Sequence, residues 1–389
     1  MYLNRGALPE LAAIARRRAS PKRVFVWASY AVGVTLVRGL LTLTRWIDDV
    51  LWPGIAEQRV EPPVFIVGNA RSGTTLLHRV MSCDEDHFTT MKLYQSVFPR
   101  VCIIETIGAL GQLDEHVPGR PLHAFVRFVH RRVFRAWDGI HEMGLDRAEE
   151  DEAIFTLSLI TPALVLAFPD LDELESAALL DDKPEAERQA CLDLYDDALR
   201  RFLYARGEGR RFLNKSVLFA PRIGSMLERY PEANLVYLVR HPFEAIPSFL
   251  NMFHTKWLTH SPEIEADSRE VRALARLAID YYRRAFESCR WFDAKRLVAV
   301  RYDELVADPK ATVLDIYDRL GIEPGPAFQA RLDEILVEQK AYTSSHRYSL
   351  EQFGLSEQEI YEELEDVFTE FDFAPPLGES IEARSSVGS

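Results

Sequence analysis

Residues 61–81 read EPPVFIVGNARSGTTLLHRVM. Pro62 and Pro63 precede Val64-Phe65-Ile66-Val67, an apolar run rich in β-branched residues and short enough for a buried strand. Residues 68–75, GNARSGTT, follow, and then Leu76, Leu77, Val80 and Met81 recur at helical spacing. A strand, a glycine-bracketed turn and a helix start together make an anion site. The first helical N–H groups have no intrahelical partners and point, with the helix dipole, into the turn. Gly68 and Gly73 let the backbone approach a phosphate with no Cβ in the way.

The loop departs from the nucleotide-triphosphate pattern G-x-x-x-x-G-K-[ST] at one position, where Thr74 stands in place of lysine. The nearest cation is Arg71, two residues before Gly73. A kinase or ATPase would lack the side chain that reaches the β- and γ-phosphates. A 5′-phosphate cradled by loop amides, the Thr74 and Thr75 hydroxyls and Arg71 would lack nothing.

Two later stretches carry related chemistry. Residues 233–253 read ANLVYLVRHPFEAIPSFLNMF: a strand-like run, Arg240 at its carboxyl end, Pro242 at a first-turn position, and Ser248 eight residues past the arginine. That spacing lets a planar guanidinium fork and a helix hydroxyl converge on one anion. Residues 301–309 read RYDELVADP after another strand-like run, with Asp308 as N-cap and Pro309 at N1 of a helix that Gly321 ends. Arg301 and the acidic pair behind it read as structural, tying strand to helix.

Together these strings resemble the sulfotransferase family that uses 3′-phosphoadenosine-5′-phosphosulfate (PAPS). RSGTT is similar to its 5′-phosphosulfate loop, R-x-P followed by serine to its 3′-phosphate segment, and R-Y-D-E-L-x-x-D-P to a third family string. The resemblance spans about residues 63–355. It implies an α/β fold with a central parallel sheet flanked by helices, of the P-loop type. Arg71, Ser72, Gly73, Thr74, Thr75 and Gly68 would hold the 5′-phosphate, and Arg240 and Ser248 the 3′-phosphate. Lys215, in FLNKSVLFAP, matches the family lysine beside the transferring sulfonyl, although Val217 replaces the usual following proline. The family's late basic loop R-K-G-x-x-G is absent, and His346, Arg347 and Tyr348 stand in its place, with Arg347 as the cofactor contact. PAPS as donor, adenosine 3′,5′-bisphosphate (PAP) as product, and a hydroxyl or amine of a small-molecule, glycan or lipid acceptor follow from the resemblance. No metal is required by this reading.

The general base is open. Lys92 and Gln95 occupy the stretch where many relatives have Glu, and His141, Glu150 and Asp151, within GIHEMGLDRAEEDEAIFTL, are the candidates. The bland reading of Glu149–Glu152 is a first helical turn whose acids complement the dipole. Asp84, Glu85, Asp86 and His87 read as a solvated turn after the helix rather than as a metal cluster.

Composition sets the outer bounds. A formal charge of −14 over 389 residues argues against a general nucleic-acid binder. Cys83, Cys102, Cys191 and Cys289 are scattered without metal or C-x-x-C spacing, consistent with reduced thiols in a cytoplasmic protein. Residues 1–60 form a helical extension, 61–375 the catalytic domain with a helical insertion at about 100–206, and 376–389 a tail. The apolar run 24–37 stops at Arg38, too short to span a membrane, which leaves packing on the domain or a peripheral membrane contact through residues 16–45. One amphipathic helix is expected over 101–136, an outer acidic layer over 158–206, and a helix over 262–291. A P-loop kinase or hydrolase, and a catalytically silent PAP-binding protein, are the competing functional classes.

Overall fold

The computed structural model describes residues 2–133, 148–174, 177, 179–293, 295–340 and 348–376. Two helices come first, α1 (Ala7–Arg18) and α2 (Pro21–Leu51). Strand β1 (Val64–Gly68) runs into α3 (Thr74–Met81), followed by β2 (Phe88–Thr89), α4 (Leu93–Val97), α5 (Val101–Glu115), α6 (Pro121–Val133) and α7 (Glu152–Ser158). Next come α8 (Glu185–Arg206), β3 (Arg211–Ser216), α9 (Ile223–Arg229), β4 (Asn234–Val239) and α10 (Pro242–Trp257). The chain continues with α11 (Arg269–Trp291), β5 (Leu297–Arg301), α12 (Tyr302–Ala307), α13 (Pro309–Arg319), α14 (Pro326–Lys340) and α15 (Glu357–Glu370).

The five strands form one sheet in the order β2-β3-β1-β4-β5, and every pair is parallel. Parallel strands are covered on both faces, which is why 64–67 and 235–239 are apolar throughout rather than alternating. Val64, Ile66, Leu213, Val236 and Leu238 pack toward α3, α13 and α14. Phe65, Val67, Phe212, Leu235, Tyr237 and Val239 pack toward α8, α10 and α11. From β1 the chain goes to β2 and β3 on one side and then to β4 on the other. The carboxyl end of β1 is therefore the switch point where open α/β sheets bind ligands.

Four expectations need correction. α8 is core, not an outer layer: Leu192, Tyr195, Leu199 and Phe202 are fully buried, a stripe that the acidic composition masks. The stretch 101–133 is two helices, separated at Gly119 (φ +83°) and Arg120 (φ +43°) ahead of Pro121. The helix expected over 262–291 starts only at Arg269, where the Ser268 hydroxyl accepts from the Val271 N–H. Most consequentially, Arg38 does not interrupt α2. Its guanidinium turns inward and donates to the Tyr2 and Leu157 carbonyls at 2.9 and 2.6 Å, so the helix continues to Leu51. By length and composition α2 is long and apolar enough to cross a membrane.

Candidate active site

The glycine loop is built against β4. A Cβ on Gly68 would sit 2.4 Å from the Leu238 carbonyl oxygen, so only glycine fits the end of β1. The chain then turns through Arg71 (φ +73°) and Gly73 (φ +85°), with the Ser72 N–H donating to the Asn69 carbonyl at 3.2 Å. The Asn69 amide holds the loop to α11 through the Ala278 carbonyl at 3.1 Å. Gly73 is the N-cap of α3 and supplies no capping side chain, leaving the first-turn amides for a ligand. Thr74 is buried, Thr75 half-buried, and the Ser72 hydroxyl is buried with no hydrogen-bond partner among the described residues. Uncapped amides, an orphaned hydroxyl and glycines that admit no Cβ fit a phosphate group.

The second and third motifs converge on this loop. Arg240 Nη1 donates to the Arg71 carbonyl at 2.8 Å, and its guanidinium lies 4.5 Å from the centre of the Tyr302 ring. Tyr302 also closes the loop from below, since a Cβ on Gly73 would meet its ring at 2.9 Å. The Arg240 carbonyl accepts from Tyr282 Oη at 2.7 Å. Glu244, one turn into α10, accepts from Arg240 Nε and Nη2 at 3.0 and 2.8 Å. Ser248 lies half-buried in the second turn of the same helix. Tyr302 had no role in the sequence reading; its place directly after a strand end was the available signal. Arg301 behaves as expected, pairing with Asp303 and bonding the Phe371 carbonyl.

At the neighbouring strand end, Lys215 Nζ donates to Glu150 Oε1 at 2.7 Å. The lysine side chain is 2% exposed and the glutamate 17%, so the pair is open only on the carboxylate side. Of the four acids expected in a first turn, only Glu152 lies there, with Asp151 at the N-cap, because α7 begins only at Glu152. Glu152 is bound to Arg222, whose guanidinium also donates to Ser216 Oγ at 3.0 Å and lies 3.8 Å from the Phe155 ring centre. Asp151 is fully buried and accepts from the Tyr195 hydroxyl; burial pushes its carboxyl up to about 6. Asn214 adjoins Asp151, but its amide makes no hydrogen bond of ordinary geometry among the described residues. Three adjacent acids thus have three separate partners.

His78, on the sheet-facing side of α3, is buried beside the Leu213 backbone, and neither ring nitrogen makes a hydrogen bond of ordinary geometry among the described residues. Burial first, then the Lys215 ammonium, pushes its imidazole down to about 3. Lys92 and Gln95 close the first turn of α4, the Lys92 N–H donating to Gln95 Oε1 at 2.7 Å. Asp84 is buried rather than solvated, accepting from Tyr317 Oη at 3.1 Å and the Gly325 N–H at 3.3 Å. Among the described residues, no group of three or more His, Cys, Asp or Glu is placed to hold a metal ion. His141 and Arg347 lie outside the described residues.

Residues 62–325 match the profile of the sulfotransferase family. The chain is 26% identical over 321 residues to the omega-hydroxy-beta-dihydromenaquinone-9 sulfotransferase Stf3 of Mycobacterium bovis, covering 81% of this chain and 78% of that one. The protein of the same name from Mycobacterium tuberculosis matches equally. Among solved structures, sulfotransferase STF1 from Mycobacterium tuberculosis superposes with a TM-score of 0.68 at 20% identity, covering 92% of this chain and 91% of that one. Sulfotransferase STF9 from Mycobacterium avium does so with 0.69 at 17% identity, covering 94% and 97%. These two show the same fold. With the family profile covering most of the chain from the strand before the glycine loop to beyond RYDELVADP, the protein belongs to the sulfotransferase family and is an enzyme that moves a sulfonyl group from PAPS to an acceptor.

Proposed function

We propose that transfer takes place between the glycine loop and the Lys215–Glu150 pair, with Glu150 as general base. The observation that carries this reading is the 2.7 Å contact itself, which joins a strand-end cation to a carboxylate 65 positions away in the chain. Arg71, the loop amides, Ser72, Thr74 and Thr75 hold the 5′-phosphate and bridging oxygen, with Gly68 and Gly73 giving them room. Arg240, with Ser248, takes the 3′-phosphate, which distinguishes PAPS from ATP. The acceptor hydroxyl attacks sulfur in line as the bond from sulfur to the phosphate oxygen breaks. The hydroxyl proton passes to the Glu150 carboxylate. The sulfonyl group takes its own negative charge to the acceptor, and the 5′-phosphate left on PAP carries one more negative charge than the same phosphate did within the phosphosulfate, offset by Lys215 and Arg71. Positioning and charge stabilisation then supply most of the catalysis, and a metal has no necessary part.

Glu150 is preferred over Asp151 because an acceptor can reach it. The Asp151 carboxylate is fully buried and already engaged by Tyr195. The acceptor class we infer is an apolar compound ending in a hydroxyl, a small molecule or a lipid. The relative at 26% identity is named for a hydroxylated menaquinone, which supports that class. A peripheral membrane contact through residues 16–45 belongs to the same reading, since Phe25, Leu36 and Leu43 of α2 stand exposed.

Turnover of Glu150→Gln with PAPS and an accepted hydroxyl compound tests the assignment. Loss of about 10²-fold or more in kcat, with PAP affinity kept within about threefold, is expected. A variant retaining near wild-type kcat would move the base elsewhere.

A further inference from the structure

We propose that α2, α5 and α6 together form a docking surface for the anionic lipid–water interface. It rests on the acceptor reading above only in giving that acceptor a source. The three helices are joined in sequence by carboxylates. Asp48 near the end of α2 accepts from the Val101 and Cys102 N–H groups at the start of α5, at 2.9 and 2.8 Å. Asp114 near the end of α5 accepts from the Leu122 and His123 N–H groups at the start of α6, at 2.8 and 2.9 Å. The surface is thus capped into a single unit.

Each helix turns apolar side chains outward at helical spacing. On α2 these include Phe25 (74% exposed), Leu36 (68%) and Trp46 (67%). Leu110 and Leu113 do so on α5, and Leu122 and Phe125 (61% exposed) on α6. Apolar exposure on three helices packed in series, α2 against α5 and α5 against α6, exceeds the scattered single residues of an ordinary surface. Aromatic rings among them suit the headgroup level of a bilayer.

Charge selects the occupant. The chain has 60 acidic against 46 basic residues, yet α6, PLHAFVRFVHRRV, holds three arginines, two histidines and no acid. On α2 Lys22 stands exposed, and the α5 acids Glu105 and Glu115 are paired with Arg206 and Arg120. A second copy of the chain would bring the same positive excess to the contact, whereas anionic lipid complements it.

The surface lies on the membrane rather than spanning it. α2 is pinned to the catalytic body along its whole length. Arg23 Nε donates to Ser261 Oγ at 2.7 Å, Trp27 Nε1 to the Ala167 carbonyl at 2.8 Å, and Asp48 accepts from Arg201 at 3.3 Å. A helix held at both ends by one globular body presents a face and cannot thread the hydrocarbon core.

The test is co-sedimentation of the full chain, purified without detergent, with vesicles of phosphatidylcholine alone or with about a third phosphatidylglycerol. PAP calorimetry and sedimentation velocity run beside it. Wild type is expected to pellet with the anionic vesicles. Phe125→Glu, and separately Leu36→Glu with Leu43→Glu, are expected to weaken that binding about tenfold with PAP affinity unchanged. Arg127→Glu is expected to weaken binding to anionic vesicles alone. Wild type remaining in the supernatant with both vesicle types while PAP still binds overturns the surface and leaves the donor site standing. Failure of PAP binding instead overturns the donor site, whatever the vesicles show. Vesicle binding untouched by Phe125→Glu, or a dimer dissolved by these variants without vesicle binding, also overturns the three-helix surface.

Discussion

His78 is buried within α3 with Lys215 nearby, and its imidazole is held neutral, its pKa pushed down to about 3 by burial and then by that ammonium. In the unfolded chain the same group takes up a proton at about pH 6.5. The native state therefore binds fewer protons below that pH, and this residue's share of stability falls as pH drops from about 6.5 toward 3, by about 1.4 kcal/mol per unit. Replacing it by glutamine removes that slope. Between pH 7 and pH 5, urea unfolding of wild type is expected to lose about 2 kcal/mol more than His78→Gln; equal losses would contradict the neutral assignment. Glu244 poses a second test, since it occupies Arg240 donors that a 3′-phosphate needs. An exposed pair of this kind contributes about 0–1 kcal/mol, so Glu244→Gln is expected to tighten PAP by up to about fivefold in calorimetry. Weaker binding would mean that the carboxylate orients the arginine instead. At this scale the sequence was legible where a side chain follows a strand, as with Lys215 and Arg240. It was not legible in the acidic knot. Which carboxylate meets Lys215, Tyr195 or Arg222 is decided by partners 44 to 70 positions away.

The glycine loop was the most legible element, because its requirement is backbone space, and backbone space is written as glycine. Gly68 and Gly111 show the contrast. A methyl at Gly68 meets the Leu238 carbonyl, forcing β1 away from β4, whereas nothing lies within 4 Å of a Cβ at Gly111 on α5. Gly68→Ala is expected to lower stability by about 1–3 kcal/mol and to abolish PAP binding. Gly111→Ala is expected to raise stability by up to about 1 kcal/mol and leave binding alone. Thermal unfolding of both checks this; a tolerated alanine at Gly68 would contradict the packing described. Helix extents were less legible, for physical reasons. Arg38 looked like the end of an apolar run, but its long side chain turns inward to two carbonyls, and the helix runs through it. α8 looked like surface because its acids are many, while its four-residue apolar stripe is what packs on the sheet. Local composition counts charges; burial depends on which face they occupy.

Across the whole molecule, five parallel strands place three chemically distinct ends side by side: the loop after β1, Lys215 near the end of β3 and Arg240 after β4. That arrangement gathers Arg71, Lys215 and Arg240 at one end of the sheet in a chain of net charge −14, as the proposed donor site requires. The parallel sheet was legible from strand runs alternating with helical segments. The outer surface of α2, α5 and α6 was only partly so, because its continuity arises from two capping carboxylates, Asp48 and Asp114, that look like any other acids. The whole arrangement stands on recognition of a 3′-phosphate beside the loop. Calorimetric titration with PAP, against AMP and ATP, on wild type and Arg240→Ala measures this directly. Binding that requires the 3′-phosphate and falls by about 10²-fold in the variant is the predicted result. AMP binding as well as PAP, or ATP binding better, would contradict it.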